Sequence, residues 1–170
     1  MQRTVNREQR AVGFGVALAV VALMFCGAAW AQIDLGAANG AKKGHVASLT
    51  DSVEVPARTA QVVELRFRVD DGFHINSNKP KDELLIPTSL KLDSADVKVL
   101  GAEYPKGAAF KLVGGGDTLD VYQGEFRVKV RMSAPKGAWT LTGKLHYQAC
   151  DNAVCLPPRD VPVKVAVTGK

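Results

Sequence analysis

The sequence predicts an all-β domain, an immunoglobulin-like antiparallel β-sandwich preceded by a cleavable signal peptide. Three observations predict it. Apolar and polar residues alternate with period two in several separate segments, the pattern of strands with one buried and one wet face, as in antiparallel sheets. Turn residues break these segments repeatedly. No segment sustains a helical period. About seven short strands with regular turns fit the sandwich, and a small barrel is the main alternative.

Residues 1–31 read as the signal peptide. Arg3, Arg7 and Arg10 form a basic segment, an uncharged apolar run follows from Ala11 to Trp30, and Ala29-Trp30-Ala31 supplies a small-x-small cleavage pattern. The run is long enough to span a bilayer, so an uncut anchor is the alternative. Cys26 follows the bulky Phe25, where a lipoprotein signal needs a small residue, and is expected to leave with the signal. Residues 32–44 are rich in Gly and Ala without periodicity and read as a flexible leader. The sandwich domain is expected over 45–170.

The clearest strand is Gln61 to Val69, where Val63, Leu65, Phe67 and Val69 alternate with Glu64, Arg66 and Arg68. Phe126, Val128, Val130 and Met132 alternate with Arg127, Lys129 and Arg131. Trp139, Leu141, Leu145 and Tyr147 follow the same rule, and Val161, Val163, Val165 and Val167 close the chain. Weaker strands are expected at Val46 to Val53, Thr88 to Leu92 and Val97 to Tyr104. Turns are expected at Asp70-Asp71-Gly72, Ser77-Asn78-Lys79-Pro80, Gly114-Gly115-Gly116-Asp117 and Ala134-Pro135-Lys136-Gly137. Pro56 is expected to bound an edge strand, and Pro162 to lie on an edge or in the first residues of the last strand, because proline cannot donate to a ladder.

Cleavage after Ala31 would leave 19 basic against 16 acidic residues, a net charge of +3. No Lys/Arg cluster is interleaved with aromatics, so nothing points to nucleic acid. No second apolar stretch approaches bilayer length, so the mature form is expected to carry no membrane span. A monomer is the default expectation.

Export gives the cysteines their meaning. The mature chain keeps two, Cys150 and Cys155, in a compartment that permits disulfides. A structural staple gains most by closing a long loop. A six-residue ring is worth only about 2 kcal/mol by the chain-entropy model. Redox exchange therefore leads, with a structural staple as the rival. A metal site is the weaker option. His146 is the nearest third ligand but lies roughly 13 Å along a strand from Cys150, and thiolates would favour Cu(I). The spacing is not C-x-x-C and no βαβ pattern surrounds it, so the pair is not a thioredoxin motif.

At these residues the sequence resembles the N-terminal periplasmic domain of the DsbD-type thiol:disulfide interchange proteins. The matching features run in the family's order. They are Asp71-Gly72-Phe73-His74-Ile75-Asn76-Ser77, Pro87-Thr88, Tyr104-Pro105, Tyr122-Gln123-Gly124, and Tyr147-Gln148-Ala149-Cys150 through Cys155-Leu156-Pro157-Pro158. The resemblance implies an immunoglobulin-like domain that needs no cofactor. Such a domain takes electrons from a thioredoxin-like periplasmic or membrane-tethered partner and passes them to exported oxidised proteins. It implies that Cys155 forms the mixed disulfide with the partner and that Cys150 resolves it. It places a cap loop near Asp120, Val121 and Tyr122, and makes His74 and Asn76 supporting groups beside the pair. His74 also reads as an ordinary strand histidine, Tyr122 as core packing and Asp120 as a solvated turn residue. The alternatives to exchange are a binding module with an inert disulfide and a Cu(I)-binding protein.

Overall fold

The computed structural model describes residues 44–112, 115–116 and 118–170. The signal peptide expected over 1–31, the leader up to residue 43, and Gly114 and Asp117 of one expected turn lie outside them. Among the described residues every regular element is a strand. In chain order these are β1 (Val46–Ser48), β2 (Ser52–Val55), β3 (Gln61–Val69), β4 (His74–Asn76), β5 (Ser89–Asp93), β6 (Lys98–Glu103), β7 (Ala108–Lys111), β8 (Thr118–Tyr122), β9 (Glu125–Ser133), β10 (Gly137–Tyr147), β11 (Ala149–Cys150) and β12 (Arg159–Gly169). They form three four-stranded sheets, ordered β1-β3-β9-β6, β2-β12-β10-β5 and β11-β4-β8-β7.

The first two sheets make the immunoglobulin-like sandwich. In β3 the residues Val63, Leu65, Phe67 and Val69 are buried and those between are exposed. β9 repeats the rule with Phe126, Val128, Val130 and Met132. The strands pair so that Phe67 lies opposite Phe126, with ring centroids 5.5 Å apart. On the wet face Arg66 donates twice to the Glu125 carboxylate, at 2.9 and 3.0 Å. The second sheet contributes Leu141 and Leu145 from β10 and Val163, Val165 and Val167 from β12, paired along their whole length. Each such fully buried side chain contributes about 1.5–3 kcal/mol relative to exposure.

One expectation is corrected here. The segment Val46 to Val53 is two strands, not one. After β1 pairs with β3, the chain crosses at Leu49–Asp51 to the other sheet, where β2 pairs with β12. That crossing makes β2–β12 parallel, the one parallel pairing among the described strands. Pro56 follows the last residue of the edge strand β2. Pro162 lies near the start of β12, before β2 begins to pair at Ala166, so its missing N–H interrupts no ladder on that side.

The third sheet is an addition on which the sequence reading is silent. Its strands β4, β7, β8 and β11 are short, and it adjoins the sandwich through Ile75, Tyr122 and Ala149, which belong to the same core cluster as Phe67 and Leu145. Tight turns carry the chain into it. Phe73 N–H donates to the Asp70 carbonyl at 3.2 Å with Gly72 at φ 81°, a left-handed conformation that favours glycine.

Candidate functional site

The cysteines sit on a small hairpin leaving β11. Asp151 N–H donates to the Val154 carbonyl at 3.0 Å, and Leu156 N–H to the Ala149 carbonyl at 2.8 Å. The Asp151 carboxylate accepts the Ala153 and Val154 N–H groups, both at 2.7 Å. Those bonds, with a lesser pull from His74, hold its carboxyl below the usual aspartate range. Gln148 Nε2 donates to the Leu156 carbonyl at 3.1 Å and ties the return to the strand. Cys150 and Cys155 face each other across an antiparallel bridge and are joined by a disulfide with Cα atoms 4.0 Å apart.

The two sulfurs stand in different surroundings. Cys150 is 2% exposed. Cys155 is exposed, between the exposed Val154 and the half-buried Leu156. The reason is local: Cys150 lies in the sheet, whereas Cys155 lies on the hairpin's return, beyond β11 and before the rigid Pro157-Pro158.

Register decides which side chains share the face of Cys150. Residues directly opposite in neighbouring strands point the same way, and successive residues point opposite ways. Cys150 pairs with His74, Asn76 with Val121, and Val121 with Ala108. Phe110 is two residues on from Ala108, so it lies on that face too. The opposite face carries Ala149, Ile75 and Tyr122. Burial agrees: those three belong to the core cluster, while the buried Cys150 and Val121 do not.

His74 is 1% exposed, and its imidazole packs against the Phe110 ring at 4.2 Å. Burial lowers its pKa from the usual histidine value, opposed by the Asp151 charge. Its Nε2 has no hydrogen-bond partner among the described residues, and neither has Asn76 Oδ1. Asn76 is otherwise well held. Its Nδ2 donates to the Ile86 carbonyl at 3.0 Å, and its own carbonyl accepts from Thr88 Oγ1 at 2.6 Å. Ser77 links to Thr88 and to Asp120 through backbone bonds of 3.1 and 2.8 Å. Thr88, in the expected Pro87-Thr88 feature, therefore clasps the end of β4.

Of the residues expected at the site, Cys150, His74, Asn76 and Val121 share one face, with Cys155 bonded to it. Asp120 and Tyr122 do not join them. Pleat parity turns both to the other side, where Tyr122 stacks on Phe126 at 4.7 Å and its hydroxyl meets Asn78 Oδ1 at 2.9 Å. Asp120 packs against Gly107, where an added Cβ would come within 2.5 Å of its Oδ1. The stretch expected as a cap loop is strand β8, paired to β4 on one side and β7 on the other. Phe110 is the site residue that sequence reasoning missed. The signal for it is the glycine-rich turn that follows, which joins the paired strands β7 and β8. His146 engages Asp160 at 2.7 Å in the second sheet rather than the cysteines. Among the described residues no group of three or more His, Cys, Asp and Glu is arranged to hold a metal.

Comparison with known proteins bears on this arrangement. Residues 47–166 match the family described as thiol:disulfide interchange protein DsbD, N-terminal. The reduced DsbD N-terminal domain of Neisseria meningitidis is 27% identical, with TM-score 0.42 over 62% of this chain and 77% of that one. The same organism's DsbD domain in complex with the PilB N-terminal domain gives 26% identity and TM-score 0.40, over 61% and 73%. The N-terminal periplasmic domain of ScsB from Proteus mirabilis gives 15% identity and TM-score 0.48, over 72% and 47%. No curated protein matches the chain.

Proposed function

Because the chain belongs to the family of DsbD N-terminal domains, we propose that it is a periplasmic thiol–disulfide interchange protein working through Cys150 and Cys155. It takes reducing equivalents from a thioredoxin-like partner and delivers them to exported oxidised proteins. The observation that carries this reading is the unequal exposure of the two sulfurs.

In disulfide exchange an incoming thiolate approaches along the S–S axis and attacks one sulfur, while the other departs. Cys155 is open to that approach and Cys150 is not. A partner thiolate attacks Cys155 Sγ, the Cys150–Cys155 bond breaks, and Cys150 takes the electron pair. The partner's second thiol then releases Cys155 and leaves the pair reduced. In the delivering half, the Cys155 thiolate attacks an oxidised protein and Cys150 resolves the mixed disulfide. His74, Asn76 and Val121 line the face on which Cys150 works, and Phe110 covers part of it.

The test is the reduction potential of the pair, equilibrated against glutathione buffers. A value between about −120 and −270 mV, the range of known exchange proteins, supports the reading. A value below about −300 mV marks a structural bridge and overturns it in favour of a binding module. Cys150→Ala should also trap a covalent partner complex that Cys155→Ser cannot form.

A further inference from the structure

If the chain exchanges disulfides as proposed above, resolution of the mixed disulfide sets a chemical problem. Only a thiolate attacks a disulfide. An ordinary thiol titrates near about 8.5, and one in apolar surroundings holds its proton more tightly. Cys150 is 2% exposed, so water is poorly placed to take its proton. A base must reach it from within the sheet.

We propose that His74 is that base. It stands directly across the β11–β4 ladder from Cys150, and side chains so opposed have Cβ atoms about 4.5–5.5 Å apart. Its Nε2 is buried and without a hydrogen-bond partner among the described residues, which leaves that atom free to accept. The Phe110 ring at 4.2 Å walls the imidazole from solvent. In the step, the Cys150 S–H bond breaks and its proton passes to His74 Nε2. Cys150 Sγ bonds to Cys155 Sγ, and the bond from Cys155 to the substrate sulfur breaks. The electron pair leaves with the substrate as thiolate, so the substrate is reduced and the pair is oxidised. In the opposite half-reaction the imidazolium returns the proton to departing Cys150.

The surroundings suit a base. Burial keeps the imidazole neutral, hence able to accept a proton, at neutral pH. Once it is charged, the Asp151 carboxylate in the turn after β11 stabilises it. On the same face β8 and β7 present Val121 and Phe110, neither of which titrates. Lys111 and Asp120 fall on the opposite face by their pairing. The charged residues of the β4–β5 connection, Lys79, Lys81, Asp82 and Glu83, are exposed.

The test uses the full chain carrying Cys26→Ser, reduced, and mixed with 5,5′-dithiobis(2-nitrobenzoate). The first release of nitrothiobenzoate reports attack by Cys155, and the second reports resolution by Cys150. In the parent chain the second rate should level off below pH 6.5, the ordinary histidine value, and stay flat through neutral pH. In His74→Gln the ratio of second to first rate should fall about 100-fold at pH 7, the usual worth of a general base. It should then climb about tenfold per pH unit towards the thiol's own pKa. His74→Phe, which keeps a ring against Phe110, should behave alike and guards against a misfolded Gln variant. Variants that retain the parent rate and profile overturn the inference, as does a parent profile that itself climbs through neutral pH. No second release in the parent overturns the exchange reading itself, a different failure.

Discussion

The sandwich and the third sheet use the same pleat in different ways. In the sandwich the long strands β3 and β9 bury one face and leave the other wet. β3 and β9 together bury eight alternating positions and hold their charges outside. In the third sheet β4 is buried on both faces, Ile75 towards the core and His74 and Asn76 towards the cysteine. The first arrangement makes stability. The second leaves polar atoms without partners, such as His74 Nε2 and Asn76 Oδ1, a condition that costs stability and marks functional places. On the proposed reading, folding and chemistry thus fall to adjoining regions of one chain.

The largest test of that division is Phe67→Ala. Phe67 is 0% exposed at the centre of the sandwich, and its truncation should cost about 3–5 kcal/mol in urea unfolding. A loss below about 1 kcal/mol would mean that the sandwich is not the main source of stability. Next comes the disulfide. Its short ring predicts that reduction costs about 2 kcal/mol or less and leaves the fold intact by far-ultraviolet dichroism. Unfolding on reduction would move the cysteines from the chemical region to the structural one. Phe110→Ala should cost about 1 kcal/mol, yet it should speed alkylation of reduced Cys150 by iodoacetamide, because it uncovers the His74 face. Unchanged alkylation would remove Phe110 from the site.

A smaller effect separates the regions by pH. A histidine kept neutral by burial binds fewer protons folded than unfolded. Stability should therefore fall as pH drops from 6.5 towards the lower value of His74, and level off beneath it. The Asp151 contribution, from a carboxyl held below 3.8, is lost only in stronger acid. Urea midpoints at several pH values, compared with His74→Gln, read the first window alone, and the variant should lack that loss. The smallest effect is expected at Val62, half exposed on the outer face of β3. Val62→Thr should stay within about 0.5 kcal/mol by the same unfolding measurement.

The same contrast explains what the sequence discloses. One-sided burial writes itself as period two, so β3, β9, β10 and β12 were legible from their valines, leucines and phenylalanines. A strand buried on both faces, such as His74-Ile75-Asn76, has no alternation to read. A two-residue strand such as β11 is too short to have one, and β7 is exposed except for Phe110. The cysteines were legible by chemistry alone. The resemblance places Asp120, Val121 and Tyr122 together as a cap loop, whereas adjacent residues on a strand face opposite ways. The parallel β2–β12 pair was invisible for another reason: the crossing at Leu49–Asp51 carries no turn residue other than Asp51.

A bond between two identical atoms has no inherent polarity, and the wall in which Cys150 is set supplies one. With one sulfur indoors and one outdoors, the exchange proposed above would run as through a valve. Of the two, Cys155 is the sulfur open to an outside thiol, and on the proposed reading whatever couples there can be expelled from behind by Cys150. Crosslinks between two copies of the chain would be subject to the same ejection. Left crowded together under oxidising conditions, such molecules should shed their mutual bonds and return to the closed ring instead of accumulating as chains.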